Sequence, residues 1–380
     1  MEQKISGRIG DSLEVDLPSS ASRLTGSLWR VSYAALHNGR IPACGREIRM
    51  KPMPAAVIAA LGFLLAGPTH AQSADHVVRA MPINAHLTAF YQGRPEEAAV
   101  GPGPRTWPDL GAIFVGVATY AIHDGDTALV YDSFTDTASA QWVRDWLAKA
   151  GVRHFILANS HWHLDHIGGN AVYVDSLRIA TEATRRTLED KRAAIEAGTE
   201  EGPPAINPLL TPTIGLAPES PVTLMIGKVR AMLRPVAIHS ADGLVIELPD
   251  DKLLLAGDTL EDTATFVAEP QTIPQQYKAL GEMRGWGFTK ILPNHGHPAV
   301  IAAGGYGLGL IDATRTYIRA LVEHAKDADF QQRPLASFVG EALKRGDVSL
   351  WWAYRDAHAN NLAVVAEAWK DQPTPVFSAP

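Results

Sequence analysis

From residue 112 to residue 298 the chain reads as short apolar runs broken by turn residues, and beyond Gly305 the rhythm lengthens to a helical one. The runs "AIFVGVATYAIHDG" from Ala112 and "TALVYD" from Thr127 flank the turn signal His123 to Asp126, which predicts a β-hairpin. "TASAQWVRDWLAKAG" then places Trp142, Val143, Trp146 and Leu147 at helical spacing and stops at Gly151. "RHFILANS" is a short buried strand, and "TEATRRTLEDKRAAIEAGT" over 181 to 199 a charged helix. Strand signals return at "VTLMIG", "VRAMLRPVAI", "GLVIELP", "KLLLAGD" and "KILPNHG". Helical patterns follow in "LIDATRTYIRALVEHAKDA", "LASFVGEALKRG" and "DAHANNLAVVAEAWKD". Strands alternating with helices predict an α/β fold whose sites lie at strand ends.

The Pro- and Gly-rich residues 72–108 are expected to wrap the surface ahead of a core over 109–300, with 301–380 as the helical remainder of the same domain. The irregular stretch from 200 to 222 is either a lid over a site or decoration. Trp351 and Trp352 are expected as packing residues rather than a substrate platform.

From Met50, "MKPMPAAVIAALGFLLAGPTHAQ" has a lysine, an apolar run from Ala55 to Ala66, and small residues at Thr69 and Ala71. That is the layout of a signal peptide over 50–71, cleaved near Ala71, and the run is too short to span a bilayer. Residues 1–49 ahead of it show no sustained periodicity and are expected to be a non-native or disordered extension. The expected location is periplasmic or secreted. No cysteine at the cleavage point means no lipid anchor.

Net charge is −7, with charged residues at 20% and both signs interspersed, so no basic stripe marks a nucleic-acid surface. The single cysteine, Cys44, excludes a disulfide framework and any CxxC metal site. A metal here must use nitrogen and oxygen ligands. The chain supplies them in "NSHWHLDHIGGN", where His161, His163, Asp165 and His166 crowd six positions after the apolar "FILA". At a strand exit His161 and His163 face one way, and Asp165 and His166 follow the bend toward a second point. Two ligand pairs imply two metals, and each needs further ligands from elsewhere. His239 in "AIHSADG", Asp258 in "LLLAGDT" and His295 in "ILPNHGHP" each end an apolar run. His297 competes with His295. The isolated His123, His154, His324 and His358 are read as surface or satisfied residues.

HxHxDH, a later lone His, a Gly-Asp after an apolar strand and a final His-Gly together resemble the metallo-β-lactamase superfamily over Ala112 to Pro298. The resemblance implies a four-layer αββα sandwich of two mixed sheets, with helices on both outer faces and the metal site at the sheet edge. It implies that His161, His163 and His239 bind one metal and Asp165, His166 and His295 a second, bridged by Asp258, and it favours His295 over His297. Asp132 would support the ligand loop by hydrogen bonding. Asp165 would also be catalytic, orienting a metal-bound hydroxide and moving a proton to the leaving group. Imidazole and carboxylate without thiolate suit Zn2+, with iron or manganese open.

The expected activity is that of an exported dinuclear zinc hydrolase cleaving a small ester, lactone, thioester or amide. Asp258 points that way, because β-lactamases proper usually carry Cys or Ser there. "HSAD" from His239 and the export pattern keep a periplasmic β-lactamase as the alternative. A non-catalytic metal-binding protein and an iron-dependent oxygenase are further readings. The partner is a small-molecule substrate; nucleic acid and a stable membrane anchor are not expected, and no pattern sets an oligomeric state.

Overall fold

Alternation within single strands shows how the layers are built. In β2 (Leu87–Gln92) Phe90 points to one cluster of buried side chains while Ala89 and Tyr91 point to another. In β3 (Val117–Asp124) Ala118, Tyr120 and Ile122 join the second cluster and Val117 and Ala121 the first. β10 (Ser240–Leu248) and β11 (Leu253–Gly257) alternate likewise: Leu244, Ile246, Leu253 and Leu255 share the middle cluster, while Val245, Leu254 and Ala256 face a third. Every one of these strands is buried on both faces, as a strand between two layers must be. The computed structural model in which these contacts occur describes residues 77–101 and 103–377.

Two sheets enclose the middle cluster. The first has seven strands, in order β1 (Arg79–Pro82), β2, β3, β4 (Thr127–Tyr131), β5 (His154–Ala158), β6 (Leu177–Thr181) and β7 (Ile214–Leu216). Pairing is antiparallel from β1 to β4 and parallel from β4 to β7. The second sheet has five, in order β12 (Lys290–Pro293), β11, β10, β9 (Val229–Ile238) and β8 (Val222–Ile226), with only β11 and β12 parallel. Helix α1 (Thr137–Lys149), capped by the Asp136 side chain accepting from Ser139 N, buries Val143 and Leu147 against the outer face of the first sheet. On the outer face of the second sheet lie the helices Ile273–Met283, Gly309–His324, Leu335–Arg345 and Tyr354–Trp369. The result is helix, sheet, sheet, helix, with both sheets mixed.

Two expectations need correction. Residues 77–92 do not wrap the surface: they supply β1 and β2, and all six residues of β2 are buried. The short "LTAFYQ" run is too brief for its burial to show through the surrounding Pro and Gly. Nor does the first long strand begin at Ala112. Pro108–Ile113 is a helical turn, with Phe114 N donating to Asp109 O at 2.8 Å, and the strand starts at Val117. Gly116, at φ +78°, separates the two, and an apolar run alone does not distinguish buried helix from buried strand. The 1–49 extension and the 50–71 signal pattern lie outside the described residues. Among the described residues no helix is long and apolar enough to cross a membrane.

Candidate metal centre

β4 and β5 run parallel and end together, so the loop leaving β4 and the loop leaving β5 meet at one edge. Asp132 leaves β4 in the left-handed region, φ +68°, and its carboxylate fastens the loop after β5. Its Oδ1 accepts from Ser160 N at 2.7 Å, and its Oδ2 from His166 Nδ1 at 3.0 Å and from Asn294 Nδ2 at 2.6 Å. Ser133 N and Asn159 Nδ2 both donate to His166 O, at 2.9 and 3.2 Å. The Gly168-Gly169 pair makes this approach feasible, since a Cβ at either position would lie 2.2 Å from a carbonyl oxygen of Thr135 or Ser133.

The three distant residues come to the same edge. His239 sits between β9 and β10, Asp258 after β11 and His295 after β12. The seven expected ligands form two groups, His161, His163, His239 and Asp258, and Asp165, His166 and His295, whose ligand atoms lie within 4.8 Å of one another in each group. Asp258 sits between them: its Oδ2 is 3.0 Å from His166 Nε2, 3.3 Å from His295 Nε2, 3.6 Å from His161 Nε2 and 4.0 Å from His239 Nε2. Asp165 Oδ2 lies 3.3 Å from His295 Nε2 and 3.5 Å from His166 Nε2. His297 stays out of the cluster; its Nδ1 accepts from Ala299 N at the start of helix Pro298–Ala302.

The imidazoles are held so that one nitrogen of each faces inward. His239 Nδ1 donates to Phe266 O at 3.1 Å and His295 Nδ1 to Gly116 O at 2.7 Å. A carbonyl only accepts, so in the neutral form both rings carry their proton on Nδ1 and their lone pair on Nε2, toward the cluster. His166 is fixed the same way by Asp132, and His161 Nδ1 lies 2.9 Å from Ser160 Oγ. His163 is the exception, turning Nδ1 inward, 3.3 Å from His239 Nε2.

Burial, followed by the neighbouring imidazoles, holds His161 well below the ordinary histidine range and takes His163 down to about 3. Burial likewise lowers His239, against the pull of Asp258. Burial also disfavours charge on His166 and His295, but Asp258 and Asp165 outweigh it and raise both well above their usual value. Burial would raise Asp258 and Asp165, and the same two imidazoles hold them down. Two atoms of the cluster, His161 Nε2 and Asp258 Oδ1, are buried with no hydrogen-bond partner. Leaving such atoms unsatisfied costs about 1–3 kcal/mol each, and a cation among the inward lone pairs would satisfy both. The donor set therefore fits divalent metal: imidazole and carboxylate only, inward lone pairs, and orphaned atoms between them.

Residues beyond the ligands hold this edge together. Asp262, fully buried, donates from its backbone N–H to His295 O at 3.0 Å. Its carboxylate accepts from Tyr306 OH at 2.6 Å, Ser349 Oγ at 2.6 Å and Ser349 N at 2.7 Å; Arg94 donates to its carbonyl. Gln276 Oε1 accepts from His239 N at 3.1 Å. Asn294 adjoins a suspected ligand and Asp262 follows another by one turn, which is the only sequence signal for either. The 200–222 stretch contributes β7 and packs Ile206 and Leu209 with Trp162 and Leu164 of the ligand loop. Trp351 and Trp352 are half-buried and donate to Phe114 O at 2.6 Å and Pro95 O at 3.0 Å. His358 is buried between Tyr317 OH and Arg333 O; exposed His154 and His324 pair with Asp126 and Asp327, and His123 meets Thr88 Oγ1.

A sandwich of two mixed sheets flanked by helices, with histidines and aspartates gathered where strand ends meet, is an architecture suited to holding divalent metal at a sheet edge. The family model for the metallo-beta-lactamase superfamily matches residues 112–295, the stretch that carries all seven residues of the cluster. It is also similar to solved structures at low identity. A metallo-beta-lactamase from Pontibacter korlensis is 15% identical, over 62% of this chain and 96% of that one, with a TM-score of 0.46. DIM-1 metallo-beta-lactamase is 16% identical over 64% and 97%, at 0.47. FIM-1 from Pseudomonas aeruginosa, in its mono-zinc form, is 16% identical over 59% and 90%, at 0.44.

Proposed function

We propose that this protein is a hydrolase that uses two divalent cations, Zn2+, to cleave a small ester, lactone, thioester or amide. The observation that carries the reading is the position of Asp258 Oδ2, within 4.0 Å of four inward-facing imidazoles drawn from both ligand groups. His161, His163 and His239 would hold one cation, Asp165, His166 and His295 the other, with Asp258 shared. When bound, such cations supply Lewis acidity, lowering the pKa of water toward neutrality and polarising a substrate oxygen. The chain's own part is orientation and proton handling. Asp165 is kept ionised by His166 and His295, and its Oδ2 would lie 3.8 Å from a Cβ placed on Gly111, so the glycine leaves room beside the carboxylate. A carboxylate in that place accepts a proton and passes it to a leaving group. Burial of the cluster excludes bulk water and strengthens each of these interactions.

A β-lactamase reading is the alternative, supported by "HSAD" after β9 and by the export pattern over 50–71. Purified protein with metal content measured, assayed on nitrocefin and on a panel of lactones, aryl esters and thioesters, separates the two. Turnover of lactones or esters without nitrocefin cleavage is the expected result; nitrocefin cleavage alone would reverse the choice, and iron in place of zinc would favour oxygen chemistry. We also propose export, on the 50–71 pattern; N-terminal sequencing of the secreted protein should begin near Gln72.

A further inference from the structure

The structure assigns Asn361, on the C-terminal helix Tyr354–Trp369, the task of positioning the His239 imidazole through the backbone of residues 265–267. This rests on the metal reading above. Asn361 is fully buried and spans that backbone: Oδ1 accepts from Val267 N at 2.8 Å and Nδ2 donates to Thr265 O at 2.9 Å. Between the two anchors lies Phe266. Its N–H donates to Glu261 Oε1 at 2.7 Å, and its carbonyl accepts from His239 Nδ1 at 3.1 Å. Glu261 is braced from the same helix, where Tyr354 OH donates to Oε2 at 3.0 Å. The carbonyl that fixes the tautomer and tilt of His239 is thus located by side chains of a helix that carries none of the ligands.

His239 cannot set its own orientation. Its backbone is left-handed, φ +69°, a region non-glycine residues seldom hold without outside support. Residues 261–269 have no strand or helix to hold them in register before the helical turn at Pro270–Thr272. An amide is suited to that gap because it donates and accepts along an extended backbone at once; a leucine of similar size does neither, and an aspartate only accepts. Asn361 Nδ2 also donates to Tyr317 OH at 3.0 Å, and that branch leads away from the cluster to His358.

The test titrates metal-free protein with Zn2+ against a chromophoric chelator, for wild type, Asn361→Leu, Tyr317→Phe, His239→Ala and the Asn361→Leu/His239→Ala double variant. Asn361→Leu should weaken one of the Zn2+ equivalents by roughly tenfold or more and leave the other nearly unchanged. Tyr317→Phe, equally buried, should leave both intact, and Asn361→Leu should add nothing once His239 is gone. Wild-type affinity for both equivalents in folded Asn361→Leu, or an equal loss with and without His239, would overturn the assignment. If circular dichroism shows Asn361→Leu unfolded, Asn361→Asp, which keeps the Val267 bond and loses the Thr265 one, is read by the same criteria with a smaller loss expected. Wild-type protein that binds no Zn2+ would bring down the metal reading itself, and that result is obtained before any variant is examined.

Discussion

His166 and His239 present the same Nε2 atom to the cluster, yet the opposite ring nitrogen is held by a side-chain carboxylate in one and a main-chain carbonyl in the other. Asp132 belongs to the strand beside the ligand loop and binds that loop at several points at once. Phe266 O belongs to an irregular segment fastened by nearby Glu261 and by Asn361 of the remote C-terminal helix. His295 resembles His239 in this respect, leaning on Gly116 O. A carboxylate adds charge and raises the basicity of its ring more than a neutral carbonyl, which mainly orients it. Of these rings, His166 is therefore charged from behind, and His239 and His295 are placed by neutral backbone.

The largest expected effect removes Asp258, which lies between the two ligand groups. Asp258→Ala should reduce bound metal in both groups and take hydrolysis to background; retention of one full equivalent by elemental analysis would mean the two ligand groups are independent. Next comes Asp132→Asn, which leaves the shape but removes the charge. Its metal affinity should fall by roughly 10–100-fold, and a fall below twofold would erase the distinction between charged and neutral holders. Gly116→Ala attacks the carbonyl-held side. The new Cβ would meet Tyr91 OH at 2.0 Å at a φ of +78°, so the Tyr91 and Arg94 side chains or the Gly116 backbone under His295 must shift. Backbone strain of this kind costs about 1–3 kcal/mol, readable as a lowered melting temperature together with weaker metal binding.

The smallest effect concerns Glu201, on the loop beside the cluster, whose carboxyl is pushed up to about 8 by burial and by Asp165 and Glu200, with Lys191 opposing. An acid raised above its usual value of 4.5 binds more protons folded than unfolded between the two values. Its contribution to stability is thus lost as pH rises from 4.5 toward 8. Glu201→Gln should melt higher than wild type at the alkaline end of that window and no higher at the acid end. Equal melting differences at both ends would contradict this placement of the carboxylate.

What the sequence disclosed follows the same division. His161 to His166 share one strand exit, so a period of two and a bend suffice to see two ligand directions. His239, Asp258 and His295 each show as a polar residue after an apolar run; that their strand ends converge follows from sheet order, which such runs do not encode. Gly116 and Phe266 act through main-chain oxygen, which has no residue signature. Asn361 and Ser349 lie far along the chain, in segments legible only as helix and helix approach. The strand "LTAFYQ" and the helical turn at 108–113 were obscured by short length and by Gly and Pro neighbours.

Asp262 fixes how short this protein can be made. Residues 112–295 carry all seven cluster residues, yet a fragment trimmed to them would lose Arg94, Tyr306 and Ser349 and leave a buried carboxylate facing nothing, directly against the main chain of His295. Transplanting the strand-end loops into another scaffold would meet the same obstacle. The smallest fragment able to hold the cluster's shape has to reach back to Arg94 and forward through the final helix.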